Sequence, residues 1–100
     1  MSNKKDKQQL RAIGHKLKPV VTIAGNGLSE NVMLEIERAL ADHELIKLKL
    51  VAGDRDAREA LGNEICQKTG ATLVQAIGNI ILILRRSPEP DPRKSNLVRV

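Results

Sequence analysis

The chain has 100 residues, 41% of them hydrophobic, and a formal net charge of +5. That length accommodates one domain, and the absence of Phe, Tyr and Trp excludes the RNA-binding modules that stack bases on aromatic rings. The basic balance favours an anionic partner, either nucleic acid or a membrane surface.

The first element expected is a helix from residue 4 to about 17. Leu10, Ile13 and Leu17 recur at helical spacing on one face. Lys4, Lys7, Arg11 and Lys18 lie largely off that stripe, Gly14 weakens the helix and Pro19 limits its extension. Residues 1–18 hold six basic residues against Asp6, whereas 19–86 is one charge negative and 87–100 one charge positive. The excess therefore sits in the first segment, as a contact surface or as a solubilising terminus.

Pro19–Ile23 reads as a short β-branched strand. Ala24-Gly25-Asn26-Gly27 follows, built from residues that accept positive φ. Ser29 is a good N-cap for a second helix, and Leu28 and Met33 have hydrophobic-staple spacing. Val32, Ile36, Ala39 and Leu40 form its apolar stripe, and it ends near Asp42-His43. Residues 45–51 alternate, with Ile46, Leu48 and Leu50 on one face and Lys47 and Lys49 on the other. A third helix spans roughly 55–68, with Gly70 as its C-terminal cap. Residues 71–77 and 79–85 read as strands joined by a tight turn at Gly78-Asn79, and Ile80–Leu84 has the composition of a central strand.

The order α-β-α-β-α-β-β predicts an α/β, α+β-like two-layer fold with a four-stranded mixed sheet packed with helices. Right-handed crossovers put the second and third helices on one side of it if the strands are added in one direction. After Arg86, Pro88, Pro90 and Pro92 alternate with polar residues, and 87–100 is expected to be a disordered, Pro-containing basic tail. Residues 1–86 form the expected domain.

The glycine-rich loop between a strand and a helix N-terminus suits an anion, because unobstructed backbone N–H groups and the helix dipole converge there. A purely structural turn is the alternative. It is neither a P-loop, lacking the Lys-Ser/Thr, nor the three-glycine dinucleotide fingerprint. Lys47 and Lys49 serve either as phosphate contacts or as a solvated face that discourages edge pairing. His15, His43 and Cys66 lack metal-site spacing, and the chain presents no nucleophile–base set. No metal, no cofactor and no enzymatic activity are expected. One cysteine permits no internal disulfide and fits a reducing compartment. The N-terminal residues lack a signal peptide's apolar stretch, and Ile80–Leu84 is too short to span a bilayer. A cytoplasmic monomer without membrane contact is expected.

These pieces together resemble the CRM-domain family, in particular its stand-alone bacterial YhbY-type members. The resemblance runs from about Lys5 to Arg86. It rests on Leu10-Arg11-Ala12 with His15-Lys16-Leu17-Lys18-Pro19, then Gly27-Leu28-Ser29-Glu30, then Ala39-Leu40 leading into His43-Glu44-Leu45-Ile46-Lys47. Thr69-Gly70-Ala71, Val74-Gln75-Ala76-Ile77-Gly78 and Leu84-Arg85-Arg86 complete it. The resemblance implies a topology similar to the C-terminal domain of bacterial translation initiation factor three. It also implies association with precursors of the large (50S) ribosomal subunit, as for the stand-alone bacterial members; plant organelle relatives promote group II intron splicing. The family's RNA-contacting loop is a Gly-x-x-Gly, similar in role to the backbone clamp of KH domains. Here Ala24 replaces the first glycine, with Gly25 one position later.

The expectation is a non-enzymatic RNA-binding protein acting in ribosome assembly. Its partner is ribosomal RNA, held through phosphates and shape. Its RNA-binding residues are Arg11, His15, Lys16, Lys18, Gly25, Asn26, Gly27, Lys47 and Arg85. The alternative is a ribosome-associated protein-binding adaptor; an enzyme and a DNA-binding protein stand further behind.

Overall fold

The computed structural model describes residues 7–24, 28–51, 53–89 and 92–97. Its elements, in order, are α1 (Lys7–His15), β1 (Pro19–Ala24), α2 (Glu30–His43), β2 (Leu45–Val51), α3 (Arg55–Thr69), β3 (Thr72–Ile77) and β4 (Ile80–Leu84). The sheet order is β1-β2-β4-β3, with β1 parallel to β2 and β4 antiparallel to both its neighbours. Among the described residues the result is three helices on a four-stranded mixed sheet, as the element order implied.

Local chemistry sets the boundaries. Ser29 caps α2 by accepting from the Val32 N–H at 3.1 Å, and Asp54 caps α3 by accepting from the Ala57 N–H at 2.8 Å. Gly70 ends α3 in the left-handed conformation at φ 74°, where a side chain would be strained. Gly78, at φ 57°, opens the two-residue turn of the β3–β4 hairpin, where glycine in first position matches the strand twist. Leu28 and Met33 both pack on the core beneath α2, completing the staple.

Neighbouring residues on a strand face opposite sides of the sheet, and β4 divides accordingly. Ile81 and Ile83 join Val21, Ile23, Ile46, Leu48 and Leu50 under Ile36 and Leu40 of α2 and Leu61 and Ile65 of α3. Leu82 faces the other way, into a smaller cluster with Leu10, Leu45, Val74 and Leu97. Helix α1 thus covers part of the face that α2 and α3 leave open. Burying each of these aliphatic side chains contributes about 1.5–3 kcal/mol.

The tail departs from expectation in its described part. Ser95 and Leu97 are buried, and the Asn96 side chain donates to the Leu45 carbonyl at 2.6 Å. The Asn96 N–H donates to the His43 carbonyl at 2.9 Å. Residues 92–97 are therefore docked across the α2–β2 junction. Proline spacing predicts the lack of regular structure there, but these polar side chains find backbone partners and an apolar seat.

Candidate nucleic-acid interface

Helix α1 reaches the sheet through a missing side chain. A Cβ on Gly14 would stand 2.5 Å from the Leu82 Cδ2 atom, closer than packed carbons can come. With Leu10 buried and Ile13 half-buried beside it, the helix lies close to β4, and Lys7, Arg11 and His15 remain exposed on its outer side. Arg11 and His15 are four residues apart and neighbours on that surface. Helix α1 ends at His15, within the longer span expected from periodicity; residues 4–6 lie outside the described residues. The chain then tightens, with the Lys16 N–H donating to the Ile13 carbonyl and the Leu17 N–H to the Gly14 carbonyl, an i to i−3 pattern common at helix ends. This turn returns Leu17 to the apolar cluster and leaves Lys16 and Lys18 exposed.

Lys47 joins these cations to the sheet. It is half-buried at mid-strand and lines two adjacent shallow clefts. One, of about 170 Å³, it shares with His15, Gln75 and Ile80. The other, of about 240 Å³, it shares with Lys18, His43 and Asn96. Among the described residues, none lining either cleft is acidic. Lys49, one pleat further along the same face, is exposed and flanked by Thr22 and Ile80. The result is a basic face in which Lys18, Lys47 and Lys49 stand with His15 over a half-open sheet, with no acidic residue among the described lining of the clefts.

Ala24, at the end of β1, pairs with Val51. The loop that follows therefore leaves the sheet at the end towards which Lys49 lies. Gly25, Asn26 and Gly27 lie outside the described residues. On their far side, Leu28 and the Ser29 cap lead into α2, whose first turn carries Glu30.

Arg85, also named from the sequence, lies away from this face. Its guanidinium donates to Glu37 Oε1 at 2.7 Å, to the Thr69 carbonyl at 3.0 Å and to the Glu37 carbonyl at 3.4 Å. It ties α2 and the end of α3 to β4, on the α2–α3 side and at the opposite end of the sheet from the loop. The three acceptors come from remote parts of the chain, and the sequence near Arg85 gives no sign of them.

Lys49, which the sequence offered as a phosphate contact or a solvated residue, stands on this face, and Asn96 lines one of its clefts without a signal in the sequence. Strand alternation places Lys49 beside Lys47. Asn96 depends on the docking of the tail. The His43 ring lies at the same cleft with its Nδ1–H donating to the Lys94 carbonyl at 2.8 Å. Burial pushes the Cys66 thiol up from its ordinary value, which makes it a weaker nucleophile at neutral pH. Among the described residues, no three His, Cys, Asp or Glu side chains gather as a metal site would require, and no helix is long and apolar enough to cross a membrane.

The sequence profile of the CRS1/YhbY (CRM) domain matches residues 3–85. A Pseudomonas aeruginosa protein named a probable RNA-binding protein is 50% identical over 93 residues, which is 93% of this chain and 89% of that one. A Haemophilus influenzae protein named an RNA-binding protein is 46% identical over 93 residues, covering 90% of this chain and 94% of its relative. The solution structure of a Staphylococcus aureus protein, described as a candidate RNA-binding protein, superimposes with a TM-score of 0.75 at 34% identity. That match covers 89% of this chain and 93% of the other.

Proposed function

The chain belongs to the CRS1/YhbY (CRM) domain family, and from that membership we propose that it is a non-enzymatic RNA-binding protein that associates with ribosomal RNA in precursors of the 50S subunit. The observation that carries this reading is the basic face on which Lys47 joins His15 to Lys18 with no acidic residue among the described lining of its clefts. RNA backbone lies across this face and over the 24–28 loop, where Gly25, Asn26 and Gly27 let phosphates approach main-chain N–H groups at the start of α2. Arg11 and Lys16 extend the contact along α1. With no aromatic ring for stacking, phosphate contacts supply most of the affinity and position the strand. In this reading the protein is a cytoplasmic monomer serving ribosome assembly.

The test is sedimentation of a cell lysate on a sucrose gradient at low magnesium, with the protein detected in each fraction. Co-migration with large-subunit precursors, abolished by RNase or high salt, is the expected result. Co-migration that survives RNase would support a protein-binding adaptor instead. Confinement to the top of the gradient would remove the ribosome from the reading.

A further inference from the structure

The cationic face makes no use of a second hollow, on the opposite side of the sheet between α3 and the β3–β4 hairpin. Its volume is about 370 Å³, within the range of pockets that hold small organic groups. Leu50, Leu73 and Ile81 supply apolar surface, and α3 presents Arg58, Glu59 and Gly62.

Two observations point to an occupant. The Arg58 side chain lines the hollow, and its Nε atom is buried with no hydrogen-bond partner among the described residues, an unfavourable state that a turn of the side chain toward a bound acceptor would relieve. Gly62 lies inside α3, where glycine weakens a helix. A Cβ there would meet Ile81 at 3.7 Å and Leu50 at 3.9 Å, which are ordinary contacts. Packing therefore does not demand glycine at this position, as it does at Gly14. Its effect is to keep the hollow open against two of its apolar lining residues.

We propose that this hollow receives one unstacked guanine base of the bound RNA, a deepening that rests on the RNA-binding reading above. The Glu59 carboxylate offers two acceptors beside the Arg58 donor. Guanine alone among the four bases sets two adjacent donors, N1–H and N2–H, next to an acceptor, O6. The sheet also brings the two sites within one strand's reach. The Leu50 N–H donates to the Asn79 carbonyl at 2.7 Å, so the hairpin turn and the β1–α2 loop share one end of the sheet. Three strand spacings, about 14 Å, separate its two edges, a distance that a few nucleotides span.

The test is a titration of the isotopically labelled full chain with GMP, AMP, CMP, UMP and ribose 5-phosphate, followed by amide chemical shifts. GMP is expected to shift Gly62, Ala76 and Gly78 and to bind roughly fivefold or more tightly than the other nucleotides, the discrimination of a displaced hydrogen bond. Ribose 5-phosphate should leave these amides in place. Glu59→Gln should erase the preference and Gly62→Leu the binding. If Gly62→Leu does not fold, loss of the GMP shifts in Arg58→Gln is the substitute result. Absence of shifts, equal shifts with AMP or ribose 5-phosphate, or GMP binding that survives both Gly62→Leu and Arg58→Gln would overturn the assignment. Mononucleotides read this hollow alone, whereas sedimentation with ribosomal precursors reads the larger interface. Failure of one is therefore distinguishable from failure of the other.

Discussion

Ser95 Oγ donates to Glu44 Oε1 at 2.6 Å, and both residues are shut away from water. The other carboxylate oxygen of Glu44 accepts from the Ser87 N–H, so one side chain fixes the segment after β4 at two points. Ser95→Ala leaves a buried carboxylate oxygen without this donor, a loss of about 1–3 kcal/mol. Urea unfolding should show a lower midpoint with an unchanged m-value. An unchanged midpoint would mean that the latch adds nothing to stability.

Two helical glycines should respond in opposite senses to the same substitution. Gly14→Ala forces a methyl group against the tightly held Leu82 and should destabilise by about 1–3 kcal/mol, as overpacking does. Gly62→Ala meets only ordinary contacts and should stabilise by about 0.5–1 kcal/mol through helix propensity. Thermal unfolding of the two variants checks the pair.

On the cationic face, Lys18→Ala and Lys47→Ala should each lower RNA affinity. Each lost phosphate contact should also reduce the slope of log affinity against log salt by about 0.7–0.9. Lys16→Glu with Lys18→Glu should weaken binding further while leaving the fold intact, since both side chains are exposed. A wild-type affinity that does not change with salt would contradict a phosphate-held complex.

Arg85 should behave as part of the frame. Arg85→Lys keeps the charge but loses the fork that serves Glu37 and the Thr69 carbonyl together. A fall in stability of about 1 kcal/mol is expected, discounted for the partial exposure of the ion pair. RNA affinity, measured where both proteins are folded, should stay within twofold, about 0.4 kcal/mol. A large affinity loss with unchanged stability would return Arg85 to the interface.

Burial raises the Cys66 pKa above its ordinary 9.0 in the folded chain. The folded state therefore holds this proton more tightly than the unfolded state. The resulting stability is present below the unfolded pKa and is lost as pH rises through the folded one. Alkylation by iodoacetamide near pH 8 should be slower than that of a free thiol and should speed up on unfolding.

What the sequence made legible was local. The Ser29 cap, the Leu28–Met33 staple, the alternation of 45–51 and the Gly70 and Gly78 positions each encode their geometry within a few residues, and the elements follow from them. The cluster of Lys18 and Lys47 was legible only as two separate basic stretches; the close seat of α1 at Gly14 brings them together. Less was legible where partners come from far along the chain. Glu44 lies 51 residues from Ser95, and Arg85 lies 48 from Glu37. In both cases a polar residue in isolation suggests solvent or ligand, and only the fold reveals a protein partner. The hollow beside α3 left a single trace, an interior helical glycine, which periodicity treats as a weakness.

The sheet order has a consequence for how the chain acquires its structure during synthesis. Strand β4 is the last to leave the ribosome, yet it lies between β2 and β3. Until residues 80–84 emerge, β3 lacks its hydrogen-bonding neighbour and β2 has only β1. The nascent chain thus exposes unpaired aliphatic strands that are prone to association. Closure of the sheet therefore waits on its final strand. A ribosome that stalls before residue 80 leaves a chain unable to close its sheet, and such a fragment is a natural target for chaperones and proteases.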